Sequence, residues 1–317
     1  MKPLLVILLG PTAVGKTAIS LDIAEQLQAE IVSADSMLIY KKMLIGTAKP
    51  TLEELNRVPH HLIDIIEPNQ PFSVADYCLA ANRCIQDILK RNRLPMLVGG
   101  TALYLKAFTE RYTFPDLQTD LAVRDFWHAK ALEFGNEFVH QQLAKVDKIS
   151  AAKLHCNDLR RVIRALEVYE LTGIPLSRQA KKERNLPYHP CVLGLNRDRQ
   201  ELYARINLRV DEMIKDGLVE EVAGLLQQGY SRDLTAMQGL GYKEIAAYLA
   251  GECTLDRAIE ILKRDTRHFA KRQLTWFRND PQIKWFDLTA FSEKEITAQI
   301  LNYIAKINCS YKQETDS

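Results

Sequence analysis

Residues Gly10-Pro11-Thr12-Ala13-Val14-Gly15-Lys16-Thr17 fit the pattern G-x-x-x-x-G-K-[ST]. Each part answers a need of a bound polyphosphate. Gly10 and Gly15 allow backbone dihedrals closed to other residues, so the loop's N–H groups, those of Thr12 and Ala13 included, can turn toward one anion. A helix that starts at the loop adds its positive end. Lys16 contributes a point charge, and the Thr17 hydroxyl can ligand Mg²⁺. The motif is specific for a diphosphate or triphosphate and silent on which. A second set is Ser33-Ala34-Asp35-Ser36. Asp35 can act there as a Mg²⁺ ligand or general base, or simply form a turn. Nucleotide-hydrolysing sites usually add an acid at the end of another apolar strand. The run Met96-Leu97-Val98 ends instead in Gly99-Gly100, so that apparatus is incomplete.

These residues need elements to hold them. Residues 4–9 (LLVILL) are continuously apolar, as a strand buried on both faces would be. Residues 17–27 follow with helical spacing. Further strands are expected at 31–33, 62–66, 95–98 and 191–195. Helices are expected at 72–90, with Ser73 as N-cap, and at 101–108, 201–228 and 239–278. Strands alternating with helices predict an α/β fold with a doubly wound, mostly parallel sheet around the phosphate loop. Between about 115 and 190 only helical periods recur, which predicts a helical insertion. The expected organisation is a discontinuous core of 1–115 and 191–300, an insertion of 116–190, and a polar, fraying tail of 301–317.

Composition narrows the class of protein. The 317 residues carry 42 basic and 40 acidic side chains, a net charge of +2, so any basic surface must be local. At 47% hydrophobic and 26% charged residues, the chain is not disordered. No apolar run reaches the roughly 18 residues of a membrane span, and no signal-peptide cleavage pattern follows the first strand. The six cysteines form no C-x-x-C pair, which argues against structural zinc and a disulfide framework. A cytoplasmic protein is expected. One local basic surface stands out. Residues 257–278 hold seven basic and two acidic side chains. Lys263, Arg267 and Lys271 fall four apart on one helix face, with Trp276 and Phe277 beyond. Such a stripe suits an RNA backbone with aromatics for stacking, and taken alone it also reads as a solvated face. Arg160, Arg161 and Arg164 form another cluster, for which a salt-bridge set is the alternative. Residues 181–184 (KKER) read as a solvated turn or an RNA contact.

Several segments together resemble the tRNA dimethylallyltransferase (tRNA isopentenyltransferase) family. They are GPTAVGKT (10–17), SADSMLIYKKMLIGTAKP (33–50), HHLIDI (60–65) and VGGTALYLKA (98–107). Further along come DLRRVIRALEVYELTG (158–173), LYARINLRVDEMIKDGLVEEV (202–222), QGLGYKE (238–244) and KRQLTWFR (271–278). The likeness runs from Leu4 to about Phe286 and points to the bacterial form. Leu38 departs from it, standing where many members carry Gln.

The resemblance implies transfer of a dimethylallyl group from dimethylallyl diphosphate to N6 of the adenosine at tRNA position 37, just 3′ of the anticodon. It implies Asp35 as general base and Thr101 as a positioning hydroxyl. It implies that Gly10, Thr12, Ala13, Gly15, Lys16 and Thr17 hold the diphosphate with Mg²⁺, helped by Arg205 or Arg209. It places Asp35, Ser36, Met37, Leu38 and Thr101 beside the flipped adenosine. It sets Arg124, Arg160, Arg161, Arg164, Lys263, Arg267 and Lys271 against the tRNA anticodon stem-loop. A monomer is expected, because a large nucleic acid must reach the cleft. The alternative is a P-loop kinase of a nucleoside or small metabolite. It explains the phosphate loop but leaves IGTAKP, GLGYKE and the basic clusters without a role.

Overall fold

The computed structural model describes residues 2–111, 120–179 and 186–316. The chain divides into two compact units, with boundaries at Ala107/Phe108 and Leu186/Pro187. The first unit opens with β1 (Leu4–Leu9), α1 (Lys16–Leu27), β2 (Ala29–Ser33), α2 (Leu52–Arg57), β3 (His60–His61), α3 (Val74–Lys90), β4 (Leu94–Gly99) and the start of α4 (Ala102–Thr109). The second unit holds α5 (Leu121–Phe134), α6 (Asn136–Val146), α7 (Lys148–Lys153), α8 (Leu159–Thr172) and α9 (Leu176–Gln179). The chain then returns to the first unit. There it forms β5 (His189–Asn196), α10 (Arg199–Lys215), α11 (Leu218–Gln227), α12 (Tyr242–Leu249), α13 (Leu255–Phe277), β6 (Lys284–Asp287) and α14 (Glu293–Asp316).

The first unit is built on a six-stranded sheet of order β3-β2-β4-β1-β5-β6, with every pairing parallel. A parallel strand covered on both faces must be apolar at successive positions. β1 obeys this, with Leu5 to Leu9 all buried. The register matters for function. Ser33 of β2 sits beside Val98 of β4, and Val98 sits beside Leu8 of β1. The three strands therefore end level, and the loops leaving their carboxyl ends are neighbours. That is the edge where ligands bind in open α/β sheets.

Several local features differ from expectation. The expected strand at 62–66 is a two-residue strand at His60–His61 instead. Leu62 and Asp64 take positive φ of 62° and 54°, which ends the extended run, and Ile66 keeps only an isolated bridge to Tyr40. The expected helix 201–228 breaks at Gly217, which has φ 100° and starts α11. β6 carries no continuous apolar run and went unforeseen. The stretch expected to fray after residue 301 is helical to Asp316. Ile296, Ile300 and Ile304, spaced four apart, form a stripe buried in the main core, a pattern that the polar composition masks. The expected boundary at 115/116 lies outside the described residues, as does the 181–184 segment. The chain rejoins the sheet slightly earlier than residue 191, since His189 and Pro190 already pair with Leu4 and Leu5.

The second unit has its own core of Val139, Leu143, Val162, Ile163 and Leu166. Among the described residues no helix is long and apolar enough to cross a membrane.

Gly99 shows how tightly the strand ends are packed. A Cβ there would lie 2.2 Å from the Ala34 carbonyl oxygen and 2.4 Å from its carbonyl carbon. Gly99→Ala is expected to destabilise the first unit by about 3 kcal/mol, the upper range for overpacking. A urea unfolding midpoint unchanged from wild type would contradict this.

Candidate active site

The loop from Gly10 to Gly15 wraps the start of α1. Gly15 is left-handed at φ 111° and Ala13 takes φ 62°, a rarer choice for a residue with a side chain. The Ala13 carbonyl is held in that strained turn by Arg205, whose Nε donates to it at 3.0 Å. Lys16 folds over the loop and donates from Nζ to the carbonyls of Gly10 (3.0 Å) and Pro11 (2.7 Å). Burial pushes the Lys16 ammonium down to about 8; the Asp35 carboxylate opposes this, and the Arg209 guanidinium adds to it. Arg209 is itself pushed down, first by burial and then by Arg205. Three cations crowd one spot, and an anion is the missing complement.

The loop after β2 faces this cluster. Asp35 turns back on its own backbone, with Oδ1 accepting the Met37 N–H at 2.8 Å. Its N–H meets the Ser33 hydroxyl at 3.3 Å. Thr101 braces the same turn from β4. Its N–H donates to the Ala34 carbonyl at 3.1 Å, and its Oγ1 accepts the Ser36 N–H at 3.0 Å. Asp35 Oδ2 takes no part in these bonds.

Both loops open into one cleft of about 310 Å³. Thr12, Ala13, Gly15, Lys16, Thr17, Asp35, Arg205 and Arg209 line it, as does Leu38. Ile31, Ala48, Pro50, Ile63 and Val98 give it an apolar side. Among the predicted residues, Gly10 and Thr101 stand just behind the lining, at the two loops. Lining residues not foreseen include Thr47, Glu54, His60, Phe269, Gln273 and Glu293.

The wall made by the IGTAKP segment is held by a residue that sequence reasoning also missed. Glu221 on α11 accepts the N–H groups of Leu44 and Ile45 at 2.8 Å each and of Gly46 at 3.2 Å. It also accepts the Tyr242 hydroxyl at 2.6 Å. One carboxylate thus joins three motifs: IGTAKP, DGLVEEV and GLGYKE. The signal was present, because Glu221 falls on the apolar stripe of Leu218, Val222 and Leu225. An acid on such a stripe needs buried partners. Lys49 fastens the other end of this segment to the HHLIDI loop, bonding the Tyr40 carbonyl at 2.9 Å and the Asp64 carboxylate.

The chain matches the IPP transferase family model over residues 38–280 and the isopentenyl transferase model over residues 3–67. It belongs to the IPP transferase family. It is 51% identical over 307 residues to the tRNA dimethylallyltransferase of Carboxydothermus hydrogenoformans, covering 95% of this chain and 97% of that one. The crystal structure of the full-length tRNA isopentenylpyrophosphate transferase from Bacillus halodurans is 44% identical. It superposes with a TM-score of 0.75 over 99% of this chain and 100% of that one. A eukaryotic dimethylallyltransferase, seen in crystallographic snapshots acting on tRNA, is 27% identical with a TM-score of 0.82. That match covers 99% of this chain and 80% of the other. The fold class read from the sequence, α/β with a helical region beside a parallel sheet, is that of the family's solved structures.

Within this family member the basic clusters are only partly free. In the second unit Arg124 and Arg164 both pair with Glu167, at 3.0 and 2.7 Å, and that carboxylate is fully buried. They keep about a third of their side-chain surface, 35% and 36%. Arg161 reaches Asp158 at 3.3 Å, while Arg160 is exposed. In the first unit Lys263 pairs with Asp211 at 2.6 Å, and Arg267 donates to Asn207 at 2.6 Å. Both partners lie on α10, which α13 packs against. Lys271 is exposed beside His268, Arg272 and Trp276.

The position of Lys16 sets a pH dependence. Its folded pKa lies below the usual lysine value, so the charge that attracts an anion is lost as pH rises through about 8. Inorganic diphosphate should therefore bind wild type progressively worse, relative to Lys16→Arg, between pH 8 and 10. The guanidinium of that variant stays charged throughout. Isothermal titration of both proteins checks this, and a constant affinity ratio across the window would refute it.

Proposed function

We propose that this family member transfers a dimethylallyl group from dimethylallyl diphosphate to N6 of the adenosine at position 37 of tRNA. The products are N6-isopentenyladenosine and diphosphate. The observation that carries this reading is that the Asp35 carboxylate and the phosphate loop line one cleft that also has an apolar side. The cleft volume of about 310 Å³ is at the low end of the range for small-molecule sites. A five-carbon chain with a diphosphate is a ligand of matching size and polarity.

The donor's diphosphate lies against the loop N–H groups, Lys16 and Arg209. Arg205 already holds the Ala13 carbonyl, so Arg209 is the better placed of the two for direct contact. The allylic chain lies along Ile31, Ile63 and Val98. The exocyclic amine of adenosine is a weak nucleophile, and it must leave the base stack to reach this cleft. Its nitrogen forms a bond to the allylic C1 as the C1–O bond breaks. The bonding pair leaves with the diphosphate, and the amine proton passes to Asp35 Oδ2. Thr101 keeps the Asp35 turn in place from behind.

Thr17 fits a Mg²⁺ ion. It lines the cleft beside Lys16, and its hydroxyl has no hydrogen-bond partner among the described residues. Those residues contain no group of three or more His, Cys, Asp or Glu able to hold a metal. That suits an ion bound mainly by diphosphate oxygens and water, with one protein hydroxyl. When bound, it would neutralise charge on the departing diphosphate.

The anticodon stem-loop is the proposed partner of Arg124, Arg160, Arg161, Arg164, Lys263, Arg267 and Lys271, with Ser36, Met37 and Leu38 beside the target base. Arg160 and Lys271, exposed and without an ion pair among the described residues, are the best placed for phosphates. The acting unit in this reading is a monomer, because a large nucleic acid must reach the cleft.

The first test supplies dimethylallyl diphosphate or ATP to the protein with Mg²⁺ and unmodified tRNA, then weighs the digested nucleosides. A gain of one C₅H₈ on adenosine, only with the allylic donor, is expected. Asp35→Asn should lower kcat by about 10²- to 10⁴-fold with tRNA affinity little changed. Near-normal turnover of Asp35→Asn would remove it as the base. ATP consumption on a small nucleoside, without prenylation, would favour the kinase instead. The RNA surface has its own test. Arg160→Ala and Lys271→Ala should each reduce the salt slope of tRNA binding by about 1. Unchanged slopes would mean that neither meets a phosphate.

A further inference from the structure

Gln273 lies on α13 on the same buried stripe as Ala270 and Phe277, with only 5% of its surface exposed. An amide at a core position costs free energy unless both of its ends are bonded. Here both are. Oε1 accepts the Thr12 N–H at 2.9 Å, and Nε2 donates to the Gly100 carbonyl at 2.8 Å. The orientation is unambiguous, because a backbone N–H can only donate and a carbonyl can only accept.

The two partners belong to different loops. Thr12 is in the phosphate loop. Gly100 precedes Thr101, which bonds Ala34 and Ser36 on either side of Asp35. The β1–β4 ladder ends at the Leu9–Gly99 pair, so Gln273 supplies the next cross-link beyond it. Gly100 leaves room for this link: a Cβ there would stand 2.3 Å from Gln273 Nε2.

We propose that Gln273 is a positioning residue that sets the separation between the phosphate loop and the Asp35 carboxylate. This rests on the transferase reading above. The donor's C1 is placed by the phosphate loop, and the proton acceptor is placed by the Asp35 turn. Gln273 is the brace between the two, so its loss changes the rate of transfer more than the binding of either substrate. The brace also sits on the helix that carries Lys263, Arg267 and Lys271.

Two variants test this. Gln273→Leu keeps the approximate volume and removes both bonds. Gln273→Glu keeps an acceptor for Thr12 and loses the donor to Gly100. Single-turnover and steady-state prenylation of tRNA are measured for each, with thermal midpoints alongside. The Gln273→Leu rate should fall about 100-fold, the scale of a 1 Å misplacement. The KM values for both substrates should change less than about threefold. Combining Gln273→Leu with Thr101→Val should cost little more than the larger single loss, because both break one chain of bonds. A merely structural role would lower the thermal midpoint and leave the rate of the folded enzyme unchanged. If Gln273→Leu does not fold, Gln273→Glu is read by the same measures. Turnover within about twofold of wild type, or fully multiplicative losses in the double variant, overturns the proposal. Wild type that prenylates nothing would instead overturn the transferase reading on which it rests.

Discussion

The cleft must hold a cation and a carboxylate close together without letting them neutralise each other. Lys16 and Asp35 feel one another electrostatically, yet among the described residues they form no ion pair. The backbone keeps them apart. Lys16 is drawn to the carbonyls of Gly10 and Pro11, and Asp35 is drawn to the Met37 N–H. Each charge is thereby parked on its own loop. Both groups therefore remain available to a ligand in the cleft that they line. A direct salt bridge would have to be broken first, at a desolvation cost that the site avoids.

That separation depends on where three strands stop. β2, β4 and β1 end level, so the two charged loops, anchored on β1 and β2 with β4 between them, open into one cleft. Hydrogen-bonded polar side chains then fix what the ladder cannot. Gln273 joins the loops across the ladder's end, and Glu221 gathers three amides and a phenol to hold the cleft wall. In the second unit Glu167 does the same for Arg124, Arg164 and the Asp120 N–H. A buried polar group with every bond made rigidifies its surroundings, and one left partly bonded destabilises them. The same helix stripes that form the cores therefore also carry the site's geometry.

Much of this was legible in the sequence, because some physics is local. The phosphate loop needs its glycines and lysine within eight positions, and β1 shows its burial as an unbroken apolar run. The phosphate-loop residues could be named from their own pattern, whereas Thr101, Arg205 and Arg209 were named only through the resemblance to the family. What escaped depended on partners distant in the chain. Glu221 meets Leu44 across 177 positions, and Gln273 meets Thr12 across 261. No local pattern encodes those pairings, although an acid or amide on an apolar stripe announces that some partner exists. The misplaced strand at 62–66 failed for a related reason. Its apolar residues suggest extension, while Leu62 and Asp64 are bent into left-handed turns by a loop that Lys49 anchors. For the arginines at 124 and 164 the charge was visible, and the buried Glu167 that engages them was not.

The end of β4 distinguishes the two chemistries that a phosphate loop can serve. A nucleotide-hydrolysing enzyme usually sets an acid near that strand end to hold its metal. Here the strand ends in Gly99, and even a Cβ would collide with the Ala34 carbonyl. No carboxylate could stand at that position without moving the Asp35 turn. The close approach has a use of its own. It lets Thr101 bond both Ala34 and Ser36, and so brings Asp35 to the cleft from the neighbouring strand. The steric room that a kinase would spend on a metal ligand is spent here on bracing the Asp35 turn. The phosphate loop and the Asp35 carboxylate line the same cleft. A diphosphate that departs, with a proton removed opposite, is the chemistry this arrangement serves.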